Sequence, residues 1–345
     1  MYFGTGESPD FDPGSHQPIQ SLDQRVVETE ILEKRSTRKK IRNILFVVLL
    51  PCSVYILFLI LQPKRFGAPL TIFIIFQQAF IPSIMAMGLC FVMSLGLYDL
   101  SIGAIVILSA ILGTKSANLV GGAGGVVVLI AVCVGASVLL ELVNAVSYTY
   151  LRIPSLIVTI GLLMIYETIG NFINGAVLPF EMSMLGRAPL NIILSLLTML
   201  LAYILFNRTR VGMHILAVGG SELIAQNSGI DVRMTKIQGF LMCGIFIGIA
   251  SVMTVSYGGV IMPSTSLDSI SRIFSPLMGY FMGLALRKYC NIIIGIFIGE
   301  FIILMIITGM MTMGAPSTFQ QVITGLFLLV VVGLVRRVKK GEVVK

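Results

Sequence analysis

A soluble fold needs polar faces, and between residues 43 and 335 this chain offers few: one apolar run follows another, broken only by short clusters of glycine, proline or charge. Runs of about 20 residues match, as helices, the roughly 30 Å hydrocarbon core of a bilayer. Only helices and closed barrels satisfy their own backbone there. A transmembrane barrel would show alternating segments of about ten residues instead. The sequence therefore predicts an all-α integral membrane protein with about ten transmembrane helices, near 43–61, 70–94, 101–119, 125–148, 154–174, 190–206, 237–257, 270–286, 291–309 and 318–335. Charged residues make up only 12% of the chain, about half the share of a soluble domain.

The basic residues set the orientation. Nineteen of the 24 lysines and arginines fall on one side if the N-terminus is inside, and Lys64, Arg65, Lys115, Arg187 and Arg272 make up the rest. That asymmetry places both termini in the cytoplasm. The net charge of +8 follows from it and does not point to nucleic acid. Residues 1–42 read as a polar cytoplasmic arm, partly disordered, whose stretch from Ser21 to Arg42 could form a short amphipathic helix. Residues 43–337 form the membrane domain and 338–345 a basic cytoplasmic tail.

Catalytic and metal chemistry find no foothold. The five cysteines sit singly in or beside apolar runs and read as small apolar fillers. His16 and His214 are too far apart in sequence to suggest a metal site. No phosphate loop, nucleophile elbow or zinc-binding helix motif is present. The chain is read as a non-enzyme that binds no cofactor.

Two stretches carry polar groups in an organised way. Residues 207–236 form the one sizeable internal polar segment, on the cytoplasmic side, read as a loop holding a short helix. Ser221 is suited to cap that helix, Glu222 to its first turn, and Gly229 to the left-handed residue that ends it. A short capped helix on a basic loop is a docking device. The second stretch is GLYDLSIGA, Gly96 to Ala104. An ionised Asp99 at the bilayer centre would cost about 3 kcal/mol, so it must be paired, near an interface, or beside a polar path. Its flanking glycines and Ser101 suggest a break between two helices. Asp268 and Arg272, one turn apart, could pair. Glu300, inside GIFIGEFIILM, must face a partner or cavity and not lipid. The pairs Gly244/Gly248, Gly279/Gly283 and Gly295/Gly299 are read as packing seams.

Three segments in register resemble one family. GLYDLSIGAIVILSA is similar to the G-x-D-L-S-x-G segment of permease subunits of bacterial ATP-binding-cassette importers of the ribose and simple-sugar type. NAVSYTYLRIPSLIVTIGLLMIYETIGNFINGA resembles that family's next signature, and TRVGMHILAVGGSELIAQNSGIDVRMTKI its coupling loop. The resemblance implies a multi-pass subunit of the bacterial cytoplasmic membrane that pairs with a second permease, sits on ATPase subunits that use the ATP, and receives its solute from an extracytoplasmic binding protein. Gly219, Gly220, Ser221, Glu222, Ala225, Ser228, Gly229 and Ile230 then fall at the ATPase contact. Asp99, Ser101, Asn144, Thr159, Asp268 and Glu300 become candidates for the translocation path. The chain departs from the family at residues 275–291, where Tyr280, Phe281, Arg287 and Lys288 replace small residues. Bulky groups repeated across a two-fold axis would narrow a pore, so a heterodimer is favoured over a homodimer. A sugar is the favoured solute; branched-chain amino acids or nucleosides remain open, as does an ion-driven transporter using Asp99, Glu141 and Glu300.

Overall fold

The computed structural model describes residues 44–316 and single residues or short groups between 319 and 333. The arm 1–42, the tail 338–345 and much of the expected span 318–335 lie outside the described residues. The chain divides into two units, Met1–Phe46 and Val47–Lys345.

Eight helices among the described residues are long and apolar enough to cross a membrane. The first is α1, Ile44–Leu61. After the single turn α2 (Pro63–Phe66), helices α3 (Pro69–Gln78) and α4 (Phe80–Ser94) join at Ala79 into one 26-residue span. Proline at the first position of α2 and α3 suits helix starts, where its missing N–H has no partner to lose. There follow α5 (Ile102–Val120), α6 (Gly122–Leu151) and α7 (Ser155–Ile173). A two-residue strand β1 (Ala176–Val177) and a 3-10 turn (Phe180–Gly186) lead to α8 (Leu190–Arg208).

The segment 207–236, read from the sequence as a loop with one short helix, is helical over most of its length. Helix α8 runs into it to Arg208, α9 covers Arg210–Gly220, α10 Glu222–Asn227, and α11 begins at Val232 and continues to Gly258. Its polarity reflects emergence from the apolar layer and not loss of helix: Thr209, Ser221 and Asp231 cap three successive helices. Strand β2 (Val260–Ile261) pairs antiparallel with β1, Ala176 opposite Ile261. The span expected at 270–286 is the 16-residue helix α12 (Ser271–Leu286), too short to be counted with the eight, and a 3-10 turn (Asp268–Ile270) precedes it. Helix α13 (Ile292–Thr312) is capped by Asn291, whose side chain accepts from the Ile293 N–H at 3.0 Å.

Helix α11 is the hub, packed on α4, α5 and α6. The glycine seams explain how closely. A Cβ at Gly244 would stand 2.8 Å from Val138 Cα, and one at Gly248 would stand 2.5 Å from Val134 Cα, both on α6. The same logic joins α12 to α13, where Gly295 and Gly283 face one another. Small residues let backbones approach where lipid gives no hydrophobic drive for association. Aromatic rings close the remaining space: Phe91 of α4 stacks on Phe246 of α11 and meets Phe206 of α8 edge-on. The Ser109 and Ser251 hydroxyls, 2.8 Å apart, tie α5 to α11.

This packing generates a prediction. Gly248→Ala places a methyl group against α6 backbone, and overpacking of that kind costs about 1–3 kcal/mol. Gly135→Ala, in α6 with nothing within 4 Å of the new atom, gains up to about 1 kcal/mol of helix propensity. Thermal unfolding in detergent should show a lowered midpoint for the first and an equal or raised one for the second.

Candidate functional site

The buried centre begins where α4 ends. Gly96 has φ +78°, a left-handed conformation that glycine adopts without penalty. The chain then runs non-helically along the first turn of α7, where the Tyr98 N–H donates to Ser155 Oγ at 3.0 Å and the Leu100 N–H to Thr159 Oγ1 at 3.2 Å. Helix α7 thus accepts hydrogen bonds from the break that the glycines suggested. Asp99 is 1% exposed. Its Oδ1 accepts from both the N–H and the hydroxyl of Ser101, at 2.8 and 2.6 Å, at the entrance to α5.

One amide holds this centre together. Asn144 Nδ2, on α6, lies 2.7 Å from Ser101 Oγ, 3.2 Å from Asp99 Oδ2 and 3.2 Å from Glu141 Oε2. The Tyr166 hydroxyl of α7 is 3.0 Å from both Asn144 Oδ1 and the Leu140 carbonyl, which fixes the amide's orientation. Asp99, Ser101, Asn144 and Thr159 therefore lie near one another, all buried. Glu141 and Tyr166 complete the set. The sequence held a signal for Glu141, three residues before Asn144 and so on the same helix face; nothing marked Tyr166. Two carboxyl groups converge on one amide, and Glu141 Oε1 finds no donor among the described residues.

The other two path candidates lie elsewhere. Glu300, buried on α13, accepts from Ser275 Oγ of α12 at 2.8 Å, and its second oxygen packs against Gly279. It thus faces a helix of its own chain, and not lipid. Asp268 is exposed in the 3-10 turn before α12. No ion pair joins it to Arg272, contrary to the pairing their spacing allowed: Asp268 lies in a 3-10 turn, whose tighter winding takes the two side chains out of the i,i+4 alignment of an α-helix. Glu167 of α7 plays a part the sequence did not reveal. Its carboxylate accepts from the N–H groups of Leu267 and Ser269, at 3.0 and 2.9 Å.

The third cluster surrounds α10. Ser221 Oγ accepts from the Ile224 N–H at 3.4 Å. At the other end Gly229 has φ +83°, the Ile230 N–H reaches the Ala225 carbonyl and the Gly229 N–H that of Gln226, both at 3.0 Å. This is the helix ending that the glycine foretold. Ser228 Oγ donates to the Ile224 carbonyl and Ala225 is buried. Gly219 lies so close to the Ser94 carbonyl that a Cβ would overlap it, fixing α9 beneath the end of α4; Gly220 is open. Lys236, which sequence reasoning counted only as a charge, binds Glu222 Oε1 at 2.8 Å, donates to the Tyr148 hydroxyl at 3.3 Å and lies 5.5 Å from that ring's centre. A cavity of about 750 Å³ opens beside them, lined by Tyr148, Arg152, Pro154, Asp231 and Lys236 among others.

Removing the amide tests the buried centre. Asn144→Leu leaves both carboxyl groups without their shared donor, and stranding buried polar groups costs about 1–3 kcal/mol each. The variant should unfold at a lower temperature, and adding Asp99→Asn should restore part of the loss; strictly additive effects would show that the two side chains do not interact.

Comparison with known proteins returns one consistent group. The family model described as branched-chain amino acid transport system / permease component matches residues 71–332. The ribose import permease protein RbsC of Bacillus subtilis (strain 168) is 30% identical over 294 residues, covering 81% of this chain and 88% of its own. The D-allose transport system permease protein AlsC of Escherichia coli (strain K12) is 28% identical, covering 81% and 87%. The L-arabinose ABC transporter permease protein AraH of Azospirillum brasilense is 31% identical, covering 72% and 74%. No solved structure gives a significant match.

Proposed function

This chain belongs to the family of branched-chain amino acid transport system permease components, and from that membership we propose its role: the transmembrane subunit of an ATP-binding-cassette importer that moves a sugar through the bacterial inner membrane. The observation that carries the reading is similarity over four fifths of the chain to permeases that import ribose and allose. ATP is then hydrolysed on a separate subunit, and a binding protein delivers the solute. With the basic residues inside, α9 and α10 face the cytoplasm and the β1–β2 pair faces outward.

Helix α10 with its flanking residues is the proposed ATPase contact, from Gly219 and Gly220 at the end of α9 through Ser221, Glu222, Ala225, Ser228 and Gly229 to Ile230. Its support is geometric: a helix capped at both ends, held to the membrane helices by the Glu222–Lys236 pair, beside an open cavity. Asp99, Ser101, Asn144 and Thr159 form the fixed wall of the solute route, Glu300 braces α12 against α13, and Asp268 meets the route itself.

A second, non-identical permease is the proposed partner. Tyr280 adds nothing to that argument, being 4% exposed inside the chain. What supports it is the open side of α12, where Phe274 is exposed and Phe281 partly so. The same bulky rings twice across an axis would crowd the route. Purification through a tag on this chain from its own host should recover a second permease with the ATPase. Recovery of this chain as the sole membrane subunit of an active importer would refute the heterodimer.

Deleting the gene should abolish accumulation of one labelled sugar among D-ribose, D-allose and L-arabinose. Loss of leucine uptake instead would favour an amino-acid permease, and uptake abolished by an ionophore in ATP-replete cells an ion-driven one. Glu222→Lys sets two ammonium groups against each other in place of an ion pair. It should cut transport at least about tenfold, equivalent to ~1.4 kcal/mol, while the chain still reaches the membrane. Normal transport with normal ATPase capture would remove α10 as the contact.

A further inference from the structure

Between β2 and α12 the backbone of residues 262–267 is non-helical and leads into the 3-10 turn Asp268–Ile270, and two measures place it at membrane depth. Lys115 Nζ, five residues before the end of α5, donates to the Ile173 carbonyl at 2.5 Å, at the end of α7. A Cβ on Gly103 would overlap the Ser269 carbonyl, and Gly103 is twelve residues down α5, about 18 Å below that level. From the other wall, Ser275 meets Glu300. Ser271, one turn before Ser275, then stands about 12 Å short of the α13 end at Thr312.

Unwound backbone at such depth survives where protein or a water-filled cavity takes its polar groups. Protein takes those of one side: Glu167 accepts from Leu267 and Ser269, and Asn171 donates to the Ser264 carbonyl at 2.8 Å. Ser266 and Leu267 hold φ of +59° and +66°, rare for residues with a side chain, so the path of the chain is imposed by these contacts. The other side carries Thr265, Ser266, Asp268, Ser271 and Arg272, all exposed. A carboxylate and a guanidinium on such a face are not compatible with hydrocarbon.

We propose that the face from Thr265 to Arg272 lines the water-filled solute route and is the place inside the membrane where a neutral polyhydroxylated solute makes its polar contacts. Asp268 accepts from adjacent hydroxyls, Arg272 donates, and the Thr265, Ser266 and Ser271 hydroxyls do either. Glu167 is the positioning residue that turns this face outward. The nature of the solute rests on the importer reading above; the aqueous exposure of the face does not.

The test uses the assembled complex in native membranes. Thr265→Cys, Asp268→Cys and Arg272→Cys are each placed in a chain carrying Cys52→Ser and Cys290→Ser, and treated with a charged, membrane-impermeant thiosulfonate. Each should react about tenfold or more faster than Leu196→Cys on the exposed apolar side of α8. Rates no faster than that control would show the face covered by another helix and overturn the proposal. If Asp268→Cys fails to reach the membrane, Ser266→Cys carries the same comparison. Glu167→Gln, which keeps one acceptor oxygen of two, should change the Thr265→Cys rate about threefold; an unchanged rate removes its positioning role. Asp268→Asn should lower the maximal uptake rate of the transported sugar about fivefold with half-saturation, set by the binding protein, unchanged. An unaltered maximal rate overturns the solute contact. If the importer reading itself is wrong, uptake and ATPase capture fail while the labelling pattern stands.

Discussion

Water is absent from the middle of a bilayer, and every polar group placed there must find its partner within the protein or along a wet passage. This chain meets that demand at Asn144. A single amide group reaches Ser101, Asp99 and Glu141, while Tyr166 fixes its other end. Without it Asp99 Oδ2 and Glu141 Oε2 would lose their donor in an apolar interior. With it, α5, α6 and α7 meet at a defined level, and the Ser109–Ser251 and Ser137–Gly244 hydrogen bonds register α11 against α5 and α6. Each such bond adds only about 1 kcal/mol net. Their weight lies in register, because the apolar surfaces around them would pack almost as well if slid along one another.

The buried centre and the α10 region share a helix. Tyr148 follows Asn144 by four residues, so the two side chains lie on one face of α6, about 6 Å apart along the axis. Lys236 joins Tyr148 to Glu222. A displacement of α10 therefore pulls on α6 within one turn of the amide. The Lys236–Glu222 pair is half in solvent, with Glu222 55% exposed, so its net strength is at most about 1 kcal/mol. Such a pair can be broken and remade during a cycle, whereas the buried network cannot be opened without stranding two carboxyl groups.

Much of this was legible in the sequence where a residue obeys a local rule. Apolar run length marked the membrane helices, and the caps at Ser221 and Gly229 bounded α10. The glycine pairs identified the α11–α6 and α12–α13 seams, and the glycines around Asp99 marked the break. What stayed hidden depends on residues far apart in sequence. Nothing near Tyr166 or Glu167 tells which loop they will face, and the partner of Lys236 is fixed only when α10 folds back on α11. Hydropathy also overstated the loop at 207–236, because it reports where a helix leaves the apolar layer and is silent on whether the helix ends there. Tyr280 shows the same limit: its bulk suggested an obstructed pore, yet α12 turns it inward against α4.

Exposure separates residues that the sequence and its family resemblance had grouped as candidates for a path. Asp99, Ser101, Asn144, Thr159 and Glu300 are buried within the chain, with Asp99 and Ser101 joined at Asn144, Thr159 bonded to the Leu100 N–H and Glu300 to Ser275. A side chain already committed to such bonds can meet a passing solute only by giving them up, and each exchange would leave an unpaired group in a medium that penalises it heavily. Asp268 bears no such commitment. It stands exposed on backbone that Glu167 and Asn171 have already satisfied from behind, so the proposed solute contact at its carboxylate would break no bond that holds the helices together. The division of labour follows from where the hydrogen bonds go: the buried polar groups keep the helices in register, which leaves the exposed ones free to exchange partners.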